Sequence, residues 1–155
     1  MGTDVRPLAP RVTTSWTFTS QPPAGAKPAG YTCPQSSSTA GCAFQPLLQL
    51  RYRLGLDGLN SAAAGDRFTF ELGVGAHRRT PSPARVSGVR VWASTDDGAT
   101  WQEARVQPSG QGRFTVRLEH PALDRTNGFV WLRAEAWDAA GNRVEQIIER
   151  AYALR

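Results

Sequence analysis

The stretch Leu48-Gln49-Leu50-Arg51-Tyr52-Arg53-Leu54 decides the fold class, because apolar and polar residues alternate strictly along it. Successive side chains of a β-strand point to opposite faces, so this alternation predicts a strand with one buried and one solvated face. Residues 67–76 repeat the pattern. The side chains expected to point inward there are Phe68, Phe70, Leu72, Val74 and Ala76.

Further short runs rich in β-branched and aromatic residues lie on both sides of this region. The predicted strands are 12–19, 88–94, 101–106, 114–118, 129–137 and 143–152, and one short helical turn is considered within 58–64. Turn signals such as Asp96-Asp97-Gly98 separate the strands. The sequence therefore predicts an all-β protein, an antiparallel immunoglobulin- or fibronectin III-like β-sandwich of about 7–9 strands. A single domain is expected over residues 12–155, preceded by a linker or artificial start at 1–11.

Residues 20–46 hold five prolines and both cysteines of the chain, Cys33 and Cys42, and are predicted to form a long surface loop. We expect a disulfide between the two, as in proteins of oxidising compartments, with a contribution of about 2–3 kcal/mol from closing so short a loop. A redox site would favour Cys-x-x-Cys, and a zinc site needs about four ligands, so both alternatives are weaker. The disulfide predicts a secreted protein.

Composition narrows the classes of partner. The net charge is +5, and Lys27 is the only lysine among 18 basic residues. High-GC coding explains this arginine bias, and an anion-binding arginine face is the alternative. Basic residues are interleaved with acidic ones, so no nucleic-acid partner is expected. No stretch approaches the roughly 20 apolar residues that span a membrane. The start lacks a signal peptide, so the protein is either cytosolic or begins further upstream in its natural form, and we favour the second.

The segment 94–101 matches the Asp-box pattern Ser-x-Asp-x-Gly-x-Thr-Trp at Ser94, Asp96, Gly98, Thr100 and Trp101. An Asp carboxylate in a hairpin loop accepts backbone N–H groups, and a glycine supplies a positive φ. We therefore interpret the box as a structural hairpin over which Trp101 folds. Asp96 and Asp97 are weak calcium candidates, because two carboxylates begin a coordination shell without completing it.

A second structural turn is predicted at residues 138–142, where Asp138 and Asn142 can bond the backbone around Gly141. Six segments occur along the chain in an order that is similar to the order in a known family of domains. The segments are 13–18, 46–52, 89–94 with the Asp-box, 112–116, 138–142 and 150–154. Over residues 12–155 the chain resembles the C-terminal β-sandwich domain of large secreted subtilisin-like serine proteases of high-GC bacteria. This resemblance implies secretion and a neighbouring catalytic domain.

No catalytic residue follows from the resemblance, because the Asp, His and Ser motifs of subtilisin-like proteases are absent from the sequence. The only histidines, His77 and His120, are expected in surface loops, and neither lies near a Gly-x-Ser-x-Gly elbow. No metal or other cofactor is expected. The chain itself is therefore predicted not to be an enzyme.

The five tryptophans either pack inside the sandwich or form a binding platform. If Val130 and Leu132 point inward, strand parity places Trp131 on the outer face, and the same argument places Trp92 outward. The predicted partner-binding face consists of Arg51, Arg90, Trp92, Trp131 and Arg133. Aromatic and arginine side chains in such a patch favour partner surfaces.

The leading functional hypothesis is a non-catalytic accessory or interaction domain of a secreted subtilisin-like serine protease. Its expected partners are the catalytic domain of the parent protein and a protein or polysaccharide substrate, and the domain is expected to be a monomer. One alternative is a carbohydrate- or polymer-binding module, suggested by the tryptophans and arginines. Another is an oligomerisation domain of a different extracellular enzyme, because sulfite-oxidase-like enzymes carry similar turns in their dimerisation domains.

Overall fold

A computed structural model describes residues 7–22 and 42–155, and within them the regular structure is almost entirely β. The strands are β1 (Val12–Thr17), β2 (Gln49–Arg53), β3 (Ser61–Ala62), β4 (Arg67–Gly75), β5 (Val86–Ser94), β6 (Gln102–Glu103), β7 (Arg105–Gly110), β8 (Arg113–Glu119), β9 (Phe129–Asp138) and β10 (Arg143–Leu154). A short 3-10 helix, Leu123–Arg125, interrupts the β8–β9 connection. The described strands number ten, slightly above the predicted 7–9, because β3 and β6 have only two residues each.

The strands form two sheets that pack face to face. The smaller sheet has the order β2-β4-β8-β7, and the larger has the order β1-β10-β9-β5-β6, with β3 pairing in parallel with the end of β10. These orders correspond to the A-B-E-D and G-F-C-C′ sheets of the immunoglobulin pattern, with β1 added beside the last strand. The predicted all-β, immunoglobulin-like sandwich is confirmed.

The core lies between the inner faces of the two sheets, where the alternating sequence pattern placed it. Phe70, Leu72 and Val74 of β4 are buried, as predicted from parity. Cross-strand partners on β8 complete the same layer, since Phe70 lies opposite Val116. The larger sheet contributes the inner residues Val91, Val130, Leu132, Ala134, Ala136, Val144 and Tyr152. All five tryptophans lie outside this core, so tryptophan packing in the sandwich interior is not what holds the sheets together.

The prediction of one continuous strand at 101–106 is wrong. Residues 102–103 pair with β5 in the larger sheet, whereas the chain from Arg105 onward pairs with β8 in the smaller sheet. The change of sheet occurs at Ala104, whose N–H donates to the Val91 carbonyl over 2.8 Å. Alternation of side chains does not reveal which neighbour a strand pairs with, so the crossing was not visible in the sequence.

Residues 58–60 form a turn that leads into β3, rather than a helical turn. The carboxylate of Asp57 accepts bonds from the N–H groups of Leu59 and Ser61, each over 2.9 Å, and from the Ser61 hydroxyl over 2.6 Å. The Ser61 hydroxyl contributes most to holding the pKa of Asp57 well below its usual range. The sequence analysis did not single out this turn.

The two ends of the loop predicted at 20–46 meet at one side chain. Gln45 accepts a bond from the Gln21 N–H over 2.8 Å and donates to the Gln21 carbonyl over 3.0 Å. Cys42 is described but Cys33 is not, so the predicted disulfide and most of the loop lie outside the described residues. At the amino end, Ala9 donates its N–H to the Arg150 carbonyl over 2.9 Å, so bonding to β10 begins within the segment predicted as a linker.

Candidate functional site

The hairpin at 94–101 is closed by side chains that bond its own backbone. The hydroxyl of Ser94 donates to the Asp96 carboxylate over 2.6 Å and accepts the Gly98 N–H over 2.9 Å. The carboxylate of Asp96 also accepts the Thr100 N–H over 2.9 Å and the Thr100 hydroxyl. These bonds from Ser94 and then from Thr100 lower the pKa of Asp96 to about 2. The Asp96 carboxylate therefore stabilises the turn by bonding its backbone, as the spacing predicted.

Asp97, the next residue, ties this hairpin to the strands beside it. Its carboxylate accepts the Trp131 indole N–H over 2.9 Å and two bonds from the Arg150 guanidinium, each over 3.2 Å. Arg150 also lies over the Phe129 ring, 5.0 Å from its centroid. We call Asp97, Phe129, Trp131 and Arg150 the Asp97 cluster. The bond from Arg150 is the main reason that the pKa of Asp97 lies below its usual range.

The Asp97 cluster gives a testable effect on stability. Asp97→Ala is expected to lower the free energy of unfolding by about 2 kcal/mol, because Trp131 and the largely buried Arg150 lose a charged acceptor. Asp97 has a φ of +54°, a conformation that asparagine tolerates, so Asp97→Asn separates the loss of charge from strain in the turn. Urea unfolding at neutral pH measures both variants.

Asp124→Ala, which removes an exposed carboxylate on the 3-10 helix, is the matched control. The ordinary pKa of an aspartate is 3.8 and that of folded Asp97 is lower, so the wild-type stabilisation is present above pH 3.8 and is lost as the pH falls below it. An Asp97→Ala protein as stable as the Asp124→Ala protein would show that the cluster contributes nothing.

The turn at 138–142 has the bonds that the sequence predicted. Asp138 accepts the N–H of Ala140 over 3.0 Å and that of Asn142 over 2.9 Å, and it also accepts the Asn142 side-chain amide over 2.8 Å. The Asn142 amide oxygen accepts the Thr19 N–H over 3.1 Å, which connects this turn to the chain that follows β1. Both side chains are buried and serve the fold.

The histidines differ from the prediction in one case. His120 is buried rather than at the surface, because Phe68 and Tyr152 pack against its ring. His77 is only partly exposed, and its ring stacks on Phe44 with centroids 4.3 Å apart.

The outer face of the larger sheet carries a tryptophan flanked by two arginines. The guanidinium carbons of Arg90 and Arg133 lie 4.8 and 5.0 Å from the centroid of the Trp92 ring. Arg90 is two residues before Trp92 on β5, and Arg133 lies directly opposite Trp92 on β9. All three therefore point outward from neighbouring strands, as parity predicted. Such cation–π contacts orient both partners.

Carboxylates fix the arginines beside Trp92. Arg90 binds both oxygens of Glu103, over 2.9 and 3.1 Å. Arg133 binds Glu135 over 3.2 Å and Glu145 over 2.9 Å. Arg143 binds the other oxygen of Glu135. The residues that we call the Trp92 cluster are Arg90, Trp92, Glu103, Arg133, Glu135, Arg143 and Glu145.

The Trp92 cluster is balanced in charge, with three arginines and three glutamates. Burial opposes the charged form of Glu135, but the hydrogen bond from Arg143 and the charges of both neighbouring arginines outweigh it, so the pKa of Glu135 is lowered. The Nε of Arg133 is buried and has no hydrogen-bond partner. The face is therefore ordered before any partner arrives, and it has no net charge with which to attract a polyanion.

The predicted partner-binding face is only partly assembled. Arg90, Trp92 and Arg133 lie together, but Arg51 lies on β2 of the other sheet. Trp131 is on the same sheet face as Trp92, but the 94–101 hairpin covers it. A Cβ placed on Gly98 would lie 3.1 Å from the Trp131 ring, and the Trp101 ring meets Trp131 edge-on at 6.5 Å. Trp131 and Trp101 thus pack against each other, and Trp131 belongs to the Asp97 cluster.

The carboxylates and Arg143 of the Trp92 cluster were not identified from the sequence. Parity alone places Glu135 outward, beside Arg133, and the contacts to Glu103 and Glu145 join strands that the predicted hairpins at 94–101 and 138–142 connect, so a sequence signal existed and was not used. A sequence signal for that pairing exists only where a short hairpin joins the two strands, as the 138–142 turn joins β9 and β10.

The chain matches no protein-family model and none of the curated proteins. Within residues 7–22 and 42–155, no helix has the length and apolar composition that crossing a membrane requires. In the same part of the chain, no three His, Cys, Asp or Glu side chains are grouped so that they could hold a metal ion. The calcium candidates Asp96 and Asp97 direct their carboxylates to the separate sets of donors described above.

Proposed function

We propose that this chain is a non-catalytic accessory domain of a secreted subtilisin-like serine protease, and that the Trp92 cluster is its contact surface for the catalytic domain of that protease. The proposal of this contact surface rests on the position of Trp92 between two arginines that glutamates hold in place. The resemblance of residues 12–155 to the C-terminal sandwiches of such proteases supports the parent enzyme.

The chemistry of the Trp92 cluster suits a folded protein partner. Tryptophan and arginine are enriched in the centres of protein interfaces and among the residues that dominate their binding energy. Arginines already held by ion pairs lose little conformational entropy on binding. The balance of charge also favours a partner surface of mixed polarity over a polyanion.

The turn residues stabilise the fold and are not part of this surface. The carboxylates of Asp96 and Asp138 bond the backbone of their own turns, and that of Asp97 bonds Trp131 and Arg150. The proposed role of the domain is therefore to dock and orient the protease domain, with the hairpins supplying rigidity.

The parent enzyme can be tested on the natural protein. An antibody to this domain should detect, in the culture supernatant of the source cells, a band far larger than 16.8 kDa that also reacts with an active-site serine probe. A large band without the label would point to another enzyme, including the redox alternative. A band found only inside the cells would contradict secretion.

The contact surface predicts the effect of Trp92→Ala. Binding of the isolated chain to the immobilised catalytic domain of the parent protease should weaken by at least about tenfold, the loss expected for an interface residue worth roughly 1.4 kcal/mol. Surface plasmon resonance measures the affinity, and urea unfolding checks that the variant remains folded.

Trp16→Ala is the control for this experiment, because it removes a tryptophan from the edge strand β1, outside the Trp92 cluster. Its affinity should equal that of the wild type. Equal weakening by both variants would argue against a specific Trp92 surface. Light scattering on the isolated chain should show a monomer, and a dimer that Trp92→Ala dissociates would support the oligomerisation alternative instead.

A further inference from the structure

A groove lies where the β5–β6 hairpin of the larger sheet approaches strands β4, β7 and β8 of the smaller one. Its volume is about 730 Å³, and its lining includes residues from both sheets and from the segment that follows β8. Small-ligand sites typically have volumes of roughly 300–1,000 Å³. Glu103 is the one member of the Trp92 cluster in the lining of the groove.

Three arginines line this groove, and only one of them, Arg67, lies opposite an acidic residue, Glu119 on β8. Arg67, Arg105 and Arg117 are exposed, and none makes an ion pair or side-chain hydrogen bond within the described part of the chain. Arg105 and Arg117 are direct cross-strand partners on β7 and β8. Like charges in such positions destabilise a sheet. The arginines beside Trp92 are all neutralised, so the open arrangement in the groove is a local feature that folding does not require.

An aromatic ring completes the lining. Trp101 is half-buried, and its ring packs edge-on against Trp131 while also lining the groove. Thr69, Thr100 and Gln102 add neutral polar groups to the same walls. An indole presents an electron-rich face to the C–H groups of a ligand, and hydroxyl and amide groups can bond its polar edge.

The remaining charges define the ligand more closely. Glu119 lines the groove beside the three arginines, and Glu103 is already bound by Arg90. Guanidinium groups bind carboxylates through paired bonds, whereas an ionised glutamate can only accept hydrogen bonds. A ligand with carboxylates, hydroxyl donors and a C–H face therefore matches all the groups present. Sugar rings that carry a carboxylate have this combination, and acidic peptides lack the regular hydroxyl donors.

We propose that this groove binds an acidic polysaccharide, a chain of uronic acid residues. Arg105 and Arg117 bind its carboxylates, and Trp101 supports one sugar ring. This site shares only Glu103 with the surface proposed to contact the protease domain, and it would bring the secreted protein to an acidic polymer. Trp92→Ala should therefore leave the binding of the polysaccharide unchanged, so the two proposals can fail independently.

The test is calorimetric titration of the full chain with oligogalacturonate, with the Arg105→Ala/Arg117→Ala variant as the decisive comparison. The variant should bind at least about tenfold more weakly, because two charge-assisted contacts are lost. Its urea midpoint should be equal to or above that of the wild type, because the repulsion between the two arginines is removed. Trp101→Phe, which keeps an aromatic ring, should retain most of the binding.

Arg51→Ala/Arg53→Ala is the matched control, since it removes the same charge from two exposed residues of β2 in the same sheet. Its affinity for oligogalacturonate should remain close to that of the wild type. An equal loss of affinity in both double variants would show that the effect comes from net charge alone, and it would overturn the proposed site. Absence of wild-type binding at about 1 mM ligand, or equally tight binding of polyglutamate, would overturn the polysaccharide assignment.

Discussion

Gly112→Ala is expected to lower the free energy of unfolding by about 3 kcal/mol. Gly112 has a φ of +64°, and a Cβ there would lie 2.4 Å from the Val74 carbonyl oxygen. A left-handed backbone costs an alanine roughly 1–2 kcal/mol, and an overpacked contact adds roughly 1–3 kcal/mol. The Val74 N–H donates to the Gly112 carbonyl over 2.7 Å, so the two segments cannot separate without breaking that bond.

Gly128→Ala is the control that separates the two causes. Gly128 has a φ of +80°, but a Cβ there would meet no atom within 4 Å. Its replacement should therefore cost only about 1–2 kcal/mol, the backbone component alone. Urea unfolding of both variants gives the comparison, and equal midpoints would mean that the chain relaxes away from Val74.

The position of Gly112 also links this experiment to the proposed groove. Gly112 lies in the turn between β7 and β8, and that turn sets the register in which Arg105 lies opposite Arg117. If Gly112→Ala shifts this register, binding of oligogalacturonate should weaken more than the loss of stability explains. Gly128 lies outside the groove lining, so its variant should bind as the wild type does.

Alternation along the strands was sufficient to predict the class of fold and most of the core. Phe70, Leu72 and Val74 are buried as parity required, and Trp92 and Arg133 point outward for the same reason. Parity works because it depends only on the geometry of one strand. The two turn motifs were also predictable, since Asp96 and Asp138 bond residues within a few positions of themselves.

Contacts between distant strands could not be predicted in this way. Arg51 was grouped with Arg90 and Arg133 around the outward tryptophans, yet it lies in the other sheet. The bond between Asp97 and Arg150 joins residues 53 positions apart, and it depends on an irregularity of β10 between Ile148 and Tyr152. Strand order and bulges are set by the packing of the whole sandwich, so the sequence around Asp97 carries no sign of its partner.

The contacts of His120 were also not predicted from the sequence, and replacing this residue is expected to have a large effect on stability. The sequence His120-Pro121 is typical of a loop, but the His120 ring is buried against Phe68 and Tyr152. One ring nitrogen, Nδ1, lies 2.9 Å from the Ala63 carbonyl oxygen, and the other, Nε2, lies 2.8 Å from the Tyr152 hydroxyl. A carbonyl oxygen can only accept, so Nδ1 carries a proton. In the neutral ring that burial favours, Nε2 then accepts a hydrogen bond from the Tyr152 hydroxyl.

Burial lowers the pKa of His120 below its ordinary value of 6.5, while the bond to Ala63 and the charge of Asp66 only partly oppose the shift. Between pH 6.5 and the lower folded pKa, the unfolded chain binds more protons than the folded chain. Stability therefore increases with pH in this window. The contribution of His120 is complete above pH 6.5 and declines as the pH falls below that value.

His120→Ala is expected to lower the free energy of unfolding at neutral pH by about 3 kcal/mol, because a buried ring is lost and the Tyr152 hydroxyl loses its acceptor. The same variant should lose the decline in stability below pH 6.5 that His120 causes. Tyr152→Phe keeps the shape of the core and should cost less, about 1–2 kcal/mol, because it removes one hydrogen bond and leaves the buried Nε2 of His120 without its partner. Urea unfolding at several pH values measures all three proteins.

His77→Ala is the control, because it removes the other histidine of the chain from a partly exposed position. It should retain the decline below pH 6.5 that is assigned to His120. If the decline disappears in His77→Ala and persists in His120→Ala, the buried ring is not the group that titrates. If His120→Ala loses stability but keeps the decline, the ring acts through packing alone, and its neutral state has no influence on the pH dependence of folding.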